Sequence, residues 1–117
     1  MDDQPSVLRV ERHGSVAILT IDDPATKNAL SPLLTREIVS ACDNVNADIG
    51  IRCAILTAAG NVFCAGGNLQ RLQANRQQPT EVQAQSVGGL HNWIETIHTF
   101  PKPVIAAVEG ACAGAGF

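Results

Sequence analysis

An apolar, strand-like run leading into a glycine–alanine turn occurs twice in this chain, and that repetition constrains the fold more than any other feature. The first run is Cys53-Ala54-Ile55-Leu56-Thr57, followed by Phe63-Cys64-Ala65-Gly66-Gly67-Asn68-Leu69. The second is Val104-Ile105-Ala106-Ala107-Val108, followed by a turn from Glu109 to Gly116. Consecutive apolar side chains predict strands buried on both faces, as in a parallel sheet. A small-residue turn between a strand and a helix N-terminus leaves backbone N–H groups reachable. Such groups hold either a phosphate or the oxyanion that develops on a carbonyl.

The remaining segments fit around these two units. Val7 to Glu11 and Val16 to Ile21 read as strands joined at His13-Gly14, an antiparallel hairpin. Asp22-Asp23-Pro24 ends the second strand. Ser31-Pro32 supplies an N-cap and a first-turn proline, which predicts a helix start. Leu34, Ile38, Ala41, Cys42 and Val45 then recur on one helical face. Asp48 to Gly50 reads as a turn. Asn68 to Asn75 reads as helical and Gln73 to Thr80 as an exposed polar loop. A long helix is predicted over Glu81 to Thr99, with Val87, Leu90, Ile94 and Ile97 on one face and Trp93 as packing. Pro101 and Pro103 stop it. Four strands and two long helices in this order predict an α/β fold, a parallel sheet with an initial antiparallel hairpin.

Composition removes several function classes. The chain has 117 residues, enough for one modest domain. A net charge of -3 and 3% aromatic residues leave neither a basic footprint nor stacking platforms, so no nucleic-acid partner is expected. No apolar run approaches the roughly 20 residues that span a bilayer, so no membrane partner is expected. The polar start Met1-Asp2-Asp3-Gln4-Pro5 does not read as a signal peptide, and a cytoplasmic location is the default. None of Cys42, Cys53, Cys64 and Cys112 forms a Cys-x-x-Cys pair; they read as small buried hydrophobes.

Three readings compete for the turns. Gly110, Gly114 and Gly116 have the spacing G-x-x-x-G-x-G, which is not the dinucleotide G-x-G-x-x-G, and neither turn carries Gly-Lys-Ser/Thr. Glycine and alanine also permit close backbone packing with no ligand at all. Two matched turns, each after a buried strand, favour the third reading: if those strands lie near one another, two N–H donors converge on one oxyanion.

The residues then match a known family. Phe63-Cys64-Ala65-Gly66-Gly67-Asn68-Leu69 resembles the F-[CS]-[AS]-G-x-D-[LI] motif of the enoyl-CoA hydratase/isomerase (crotonase) family. Lys102-Pro103-Val104-Ile105-Ala106-Ala107-Val108-Glu109-Gly110-Ala111-Cys112-Ala113-Gly114-Ala115-Gly116 resembles its K-P-V-I-A-A-V-x-G-x-A-x-G-G-G motif, and Asn28-Ala29-Leu30-Ser31 its N-A-L-[SN] motif. The resemblance implies a crotonase-like spiral of ββα units, usually trimeric or a dimer of trimers. It implies an acyl-CoA thioester ligand, with coenzyme A as part of the substrate and no separate cofactor. It places the oxyanion-hole N–H groups at Gly67 and Ala115. It puts the CoA beside Ala65, Gly66, Asn68 and Leu69, with Ala29 along the same tunnel and Lys27 near the CoA phosphates. A solvated loop lysine is the other reading of Lys27. Two carbonyl-polarising donors explain how one site serves hydration, isomerisation and hydrolysis.

Two departures from the pattern matter. Asn68 stands where the family usually has Asp. Residues 1–117 correspond to the N-terminal portion of a single family domain, ending inside the second oxyanion-hole motif before both hydratase carboxylates. A non-catalytic CoA-thioester-binding or oligomerising fragment is therefore the alternative expectation. His91, Glu95 and His98 share a helical face, but H-x-x-x-E-x-x-H without a fourth ligand reads as a polar stripe, and no metal is expected. Counted back from Lys102, His91 also falls where the chlorobenzoyl-CoA dehalogenase branch has a pocket base.

Overall fold

The computed structural model describes residues 6–66, 76, 79–80 and 92–113. Two strands open the chain, β1 (Leu8–His13) and β2 (Val16–Ile21), paired antiparallel in continuous register from Leu8↔Ile21 to His13↔Val16. Their two-residue turn puts Gly14 first at φ 62, a conformation that glycine adopts without a Cβ penalty. The first strand thus runs two residues past its expected end.

A 3-10 turn at Pro24–Thr26 and an irregular stretch lead to helix α1 (Pro32–Ala47). The Ser31 hydroxyl accepts the Leu34 N–H at 3.1 Å, satisfying one orphan donor of the first turn. All five apolar positions read from the sequence, Leu34, Ile38, Ala41, Cys42 and Val45, are buried. Leu34 and Ile38 are 0% exposed, and burying each such side chain stabilises by about 1.5–3 kcal/mol.

Strand β3 (Cys53–Ala58) returns parallel to β2, and β5 (Val104–Ala106) lies parallel on its other side. The four-stranded order is β1-β2-β3-β5. Two short strands, β4 (Val62–Cys64) and β6 (Ala111–Cys112), form a separate parallel pair. Residues 92–98 are helical and precede β5. The observed order is thus α/β, with strand pairs followed by helical segments.

The core lies between α1 and one face of the larger sheet, where Ala17, Leu19, Ile21, Ala54 and Leu56 point inward. Three expectations change here. Strand β3 alternates, with Ala54 and Leu56 buried and Cys53, Ile55 and Thr57 half-buried. Strand β5 is no more enclosed, with Ile105 56% exposed at the sheet's edge. The expected burial on both faces fails because, among the described residues, the helices pack on one face only. On the 92–98 helix, Trp93 and Ile97 pack toward the core as expected, whereas Ile94 is 40% exposed and leaves the expected stripe. Val87 and Leu90 lie outside the described residues. The Trp93 indole N–H is buried without a hydrogen-bond partner among the described residues.

Candidate functional site

The two glycine turns do not leave directly from β3 and β5. Each first contributes a short strand, and those strands pair. Val62 faces Ala111 and Cys64 faces Cys112, with a bulge between the two positions. The Ala113 N–H donates to the Cys64 carbonyl at 3.0 Å, extending the ladder by one residue. Residues Ala65-Gly66 and Ala113 therefore continue from neighbouring, parallel strands in the same direction.

Gly110 makes that pairing possible. It sits at φ 79, and a Cβ there would lie 1.8 Å from the Asn61 carbonyl oxygen. The backbones approach so closely at the start of β4 and β6 that no side chain fits between them.

A second segment is fastened against the first turn. The Ala65 N–H donates to the Lys27 carbonyl at 3.2 Å, and the Leu30 N–H donates to the Gly66 carbonyl at 2.7 Å. Between these bonds Lys27 and Asn28 both adopt left-handed backbone, at φ 56 and 58. Asparagine tolerates that region because its short amide bonds locally. Here the Asn28 side chain is 3% exposed and fully used. Its Oδ1 accepts the Asp23 N–H at 2.7 Å, and its Nδ2 donates to the carbonyls of Val62 at 2.7 Å and Ala59 at 3.3 Å. Asn28 thus couples the end of β2, the approach to α1 and the start of β4.

Four of the residues expected to border the ligand come together through this clamp. Lys27 and Ala65 are exposed, and the Lys27 ammonium forms no ion pair among the described residues. Ala29 is 1% exposed and Gly66 is buried. Gly67, Asn68, Leu69, His91 and Ala115 lie outside the described residues. Glu95 and His98 are both exposed on the 92–98 helix.

The backbone donors at the base of the turns are already engaged. Ala65 N–H serves Lys27, and Gly66 N–H points at the Cys64 sulfur, 3.4 Å away. Ala113 N–H serves Cys64. Burial pushes the Cys64 thiol up from its usual range; the Gly66 N–H partly offsets this, and nearby Cys112 adds to it. Burial, with Asp43 beside it, also pushes Cys42 up to about 11.

Sequence reasoning passed over two structural anchors in the motifs. Lys102 lies in the second motif, yet its ammonium donates to the Val45 carbonyl at 2.6 Å and the Asp48 carbonyl at 2.7 Å. It caps the C-terminal end of α1, where carbonyls lack intrahelical partners. Asn28 carried a signal that could have been read, a lone asparagine between a 3-10 turn and a helix cap. Lys102 carried none, because its partners are more than fifty residues away.

The same arrangement recurs in known proteins. A solved enoyl-CoA hydratase from Polaromonas sp. JS666 superposes with a TM-score of 0.88 at 53% identity, covering 93% of this chain and 42% of that one. Enoyl-CoA hydratase EchA19 of Mycobacterium tuberculosis is 40% identical over 110 residues, 92% of this chain and 40% of its own. The 1,2-epoxyphenylacetyl-CoA isomerase of Escherichia coli is 34% identical over 102 residues, 86% of this chain and 39% of its own. The chain spans about two-fifths of the length of these relatives. The sequence profile described as enoyl-CoA hydratase/isomerase matches residues 11–117, which takes in both glycine turns and the Asn28 clamp. On that match, and on a crotonase-type arrangement of paired strands and helices shared with solved members, the chain belongs to the enoyl-CoA hydratase/isomerase family.

Proposed function

We propose that residues 1–117 are the N-terminal portion of a single crotonase-like domain that binds an acyl-CoA thioester and stabilises its enolate between the N–H groups of Gly67 and Ala115. The observation that carries this reading is the β4–β6 pairing, which sends both turns off from adjacent parallel strands. A supporting point is that the donors at 65, 66 and 113 are already committed, so a donor available to a ligand comes from residue 67 onward in one turn and 114 onward in the other. Gly67 and Ala115 each stand three residues beyond a member of the Cys64–Cys112 pair. Two such donors lower the cost of charge on the thioester oxygen, and losing one typically costs about 10²–10³ in rate. Hydration, isomerisation and hydrolysis all pass through that charge. The relatives named above include both hydratases and an isomerase.

The exposed Lys27, Ala65 and the residues Asn68 and Leu69 form the CoA-facing side in this reading, with Gly66 and Ala29 behind them. His91 is a candidate base from the 81–91 segment. A cytoplasmic, trimeric or hexameric assembly acting in fatty-acid metabolism accompanies the proposal. A second reading has one specific support, the two-fifths coverage of the relatives: the chain binds CoA thioesters or partner subunits without turnover by itself.

A chromophoric enoyl-CoA tests the site directly, since its absorption moves to longer wavelength when its carbonyl is polarised. The protein is expected to bind it with such a red shift. Gly67→Pro, which removes the N–H, is expected to keep binding and lose the shift. Saturable binding with no shift in the parent protein refutes the oxyanion assignment. Hydration of crotonyl-CoA by a species whose intact mass is 12.3 kDa refutes the non-catalytic reading.

A further inference from the structure

The β4–β6 pair places two thiols directly across from one another, and neither has a part in the chemistry above. Cys64 and Cys112 are register partners on parallel strands just past the bulge, and Cys112 lies near enough to act on the Cys64 thiol. Neighbouring strands lie about 4.8 Å apart. Disulfides need Cα atoms roughly 4.4–6.8 Å apart, with Cβ vectors that do not diverge. Strand spacing puts a register pair inside that Cα range. The Ala113 N–H bond to the Cys64 carbonyl holds the strands together just past this position.

We propose that Cys64 and Cys112 are a redox-sensitive pair that a peroxide converts to a cross-strand disulfide, locking together the roots of the two glycine turns. The two sulfurs differ in access. Cys64 is 1% exposed, whereas Cys112 is half-buried and reachable by a small oxidant. The Cys112 thiolate attacks the peroxide, the O–O bond breaks, and Cys112 becomes a sulfenic acid while one oxygen leaves as water. The Cys64 sulfur then displaces the sulfenic oxygen, which leaves as a second water with the proton from Cys64. Two thiols lose two electrons and two protons, and hydrogen peroxide is reduced to two waters. The raised Cys64 thiol is a poor first target, which leaves it intact to resolve the sulfenic acid formed at Cys112. Cys42 sits on the buried face of α1 and Cys53 at the start of β3, outside this pair of strands. The inference stands on the β4–β6 register alone and not on the acyl-CoA reading.

The test is oxidation of the purified protein with dilute hydrogen peroxide under native conditions, followed by thiol alkylation and peptide mapping. Cys53 and Cys64 share the tryptic peptide 53–71, so mapping uses the Cys53→Ser variant. The expected result is loss of two of the four alkylatable thiols and a Cys64–Cys112 link reversed by dithiothreitol. Cys112→Ser is expected to form no intrachain link. An unchanged thiol count, a link through Cys42 or Cys53, or Cys112 advancing to sulfinic acid without capture by Cys64 overturns the proposal. Chymotrypsin, which cuts after Leu56 and Phe63, separates Cys53 from Cys64, so the link is also mapped in the parent protein even if a variant fails to accumulate.

Discussion

Replacing Asn28 by alanine tests the clamp that carries the first glycine turn. The substitution removes three side-chain hydrogen bonds, two of them at 2.7 Å. A net hydrogen bond contributes about 0.5–1.5 kcal/mol, and a buried partner left unsatisfied costs about 1–3 kcal/mol. The Asp23 N–H and the Val62 carbonyl lose their close partner, while the 3.3 Å bond to Ala59 adds little. Two such losses come to about 2–6 kcal/mol. Alanine at φ 58 adds about 1 kcal/mol that asparagine largely avoids. The expected destabilisation is therefore about 3–7 kcal/mol. That is a large share of the roughly 5–15 kcal/mol that keeps a typical domain folded.

Urea denaturation followed by far-UV circular dichroism measures it. With a slope of about 1–3 kcal/mol per molar, the midpoint should fall by more than about 1 M. Asn28→Asp is the sharper control. It keeps the acceptor facing the Asp23 N–H and the tolerance of left-handed backbone. It sets a carboxylate oxygen, in place of the amide donor, against the Val62 carbonyl. This variant should be destabilised at pH 7 and recover on acidification, when the protonated carboxyl can donate again. The Ala65 and Leu30 backbone bonds hang on the same segment, so acyl-CoA binding should weaken with it. A loss under about 1 kcal/mol in Asn28→Ala, or an Asn28→Asp stability independent of acidification, refutes the hub role assigned to this side chain.

Three further outcomes follow from the structure. Lys102→Met keeps the alkyl stem but removes the charge-assisted cap on α1; a loss of about 1–2 kcal/mol is expected in denaturant unfolding, and no measurable change would contradict the capping role. Gly110→Ala meets backbone rather than a movable side chain at Asn61 and is strained at positive φ, so the β4–β6 pairing should not form; amide exchange at Ala113 as slow as in the parent would argue against this. Because burial raises the folded-state pKa of Cys42 to about 11 from 9.0, the unfolded chain loses that proton first. Stability should then fall between those two pH values by up to ~1.4 kcal/mol per unit, and Cys42→Ala should show a shallower alkaline loss across the same window.

Local signals were the legible ones. The Ser31 cap, the Pro32 start and the buried face of α1 were readable because capping and 3.6-residue periodicity are properties of neighbouring residues. The Gly14 hairpin was readable for the same reason, off by two residues at the end of β1. Strands β4 and β6 escaped notice because three and two residues carry no periodicity, and both lie inside segments rich in turn residues. The half-exposed faces of β3 and β5 escaped because an apolar run does not state how many layers cover it. At the site, the motif residues Lys27, Ala65 and Gly66 were found from resemblance; the bonds between Lys27 and Ala65, and between Leu30 and Gly66, were not.

By itself the sequence determined the family, the α/β class and the positions of two small-residue turns, since each rests on residue identity and local spacing. Only the tertiary structure decided that those turns leave from paired strands, that Asn28 and Lys102 fasten distant segments, and that Cys64 falls opposite Cys112. The physical reason is chain separation. Register, buried polar pairing and close backbone approach are set between residues 34 to 54 positions apart, where no local pattern records which carbonyl a given donor will reach.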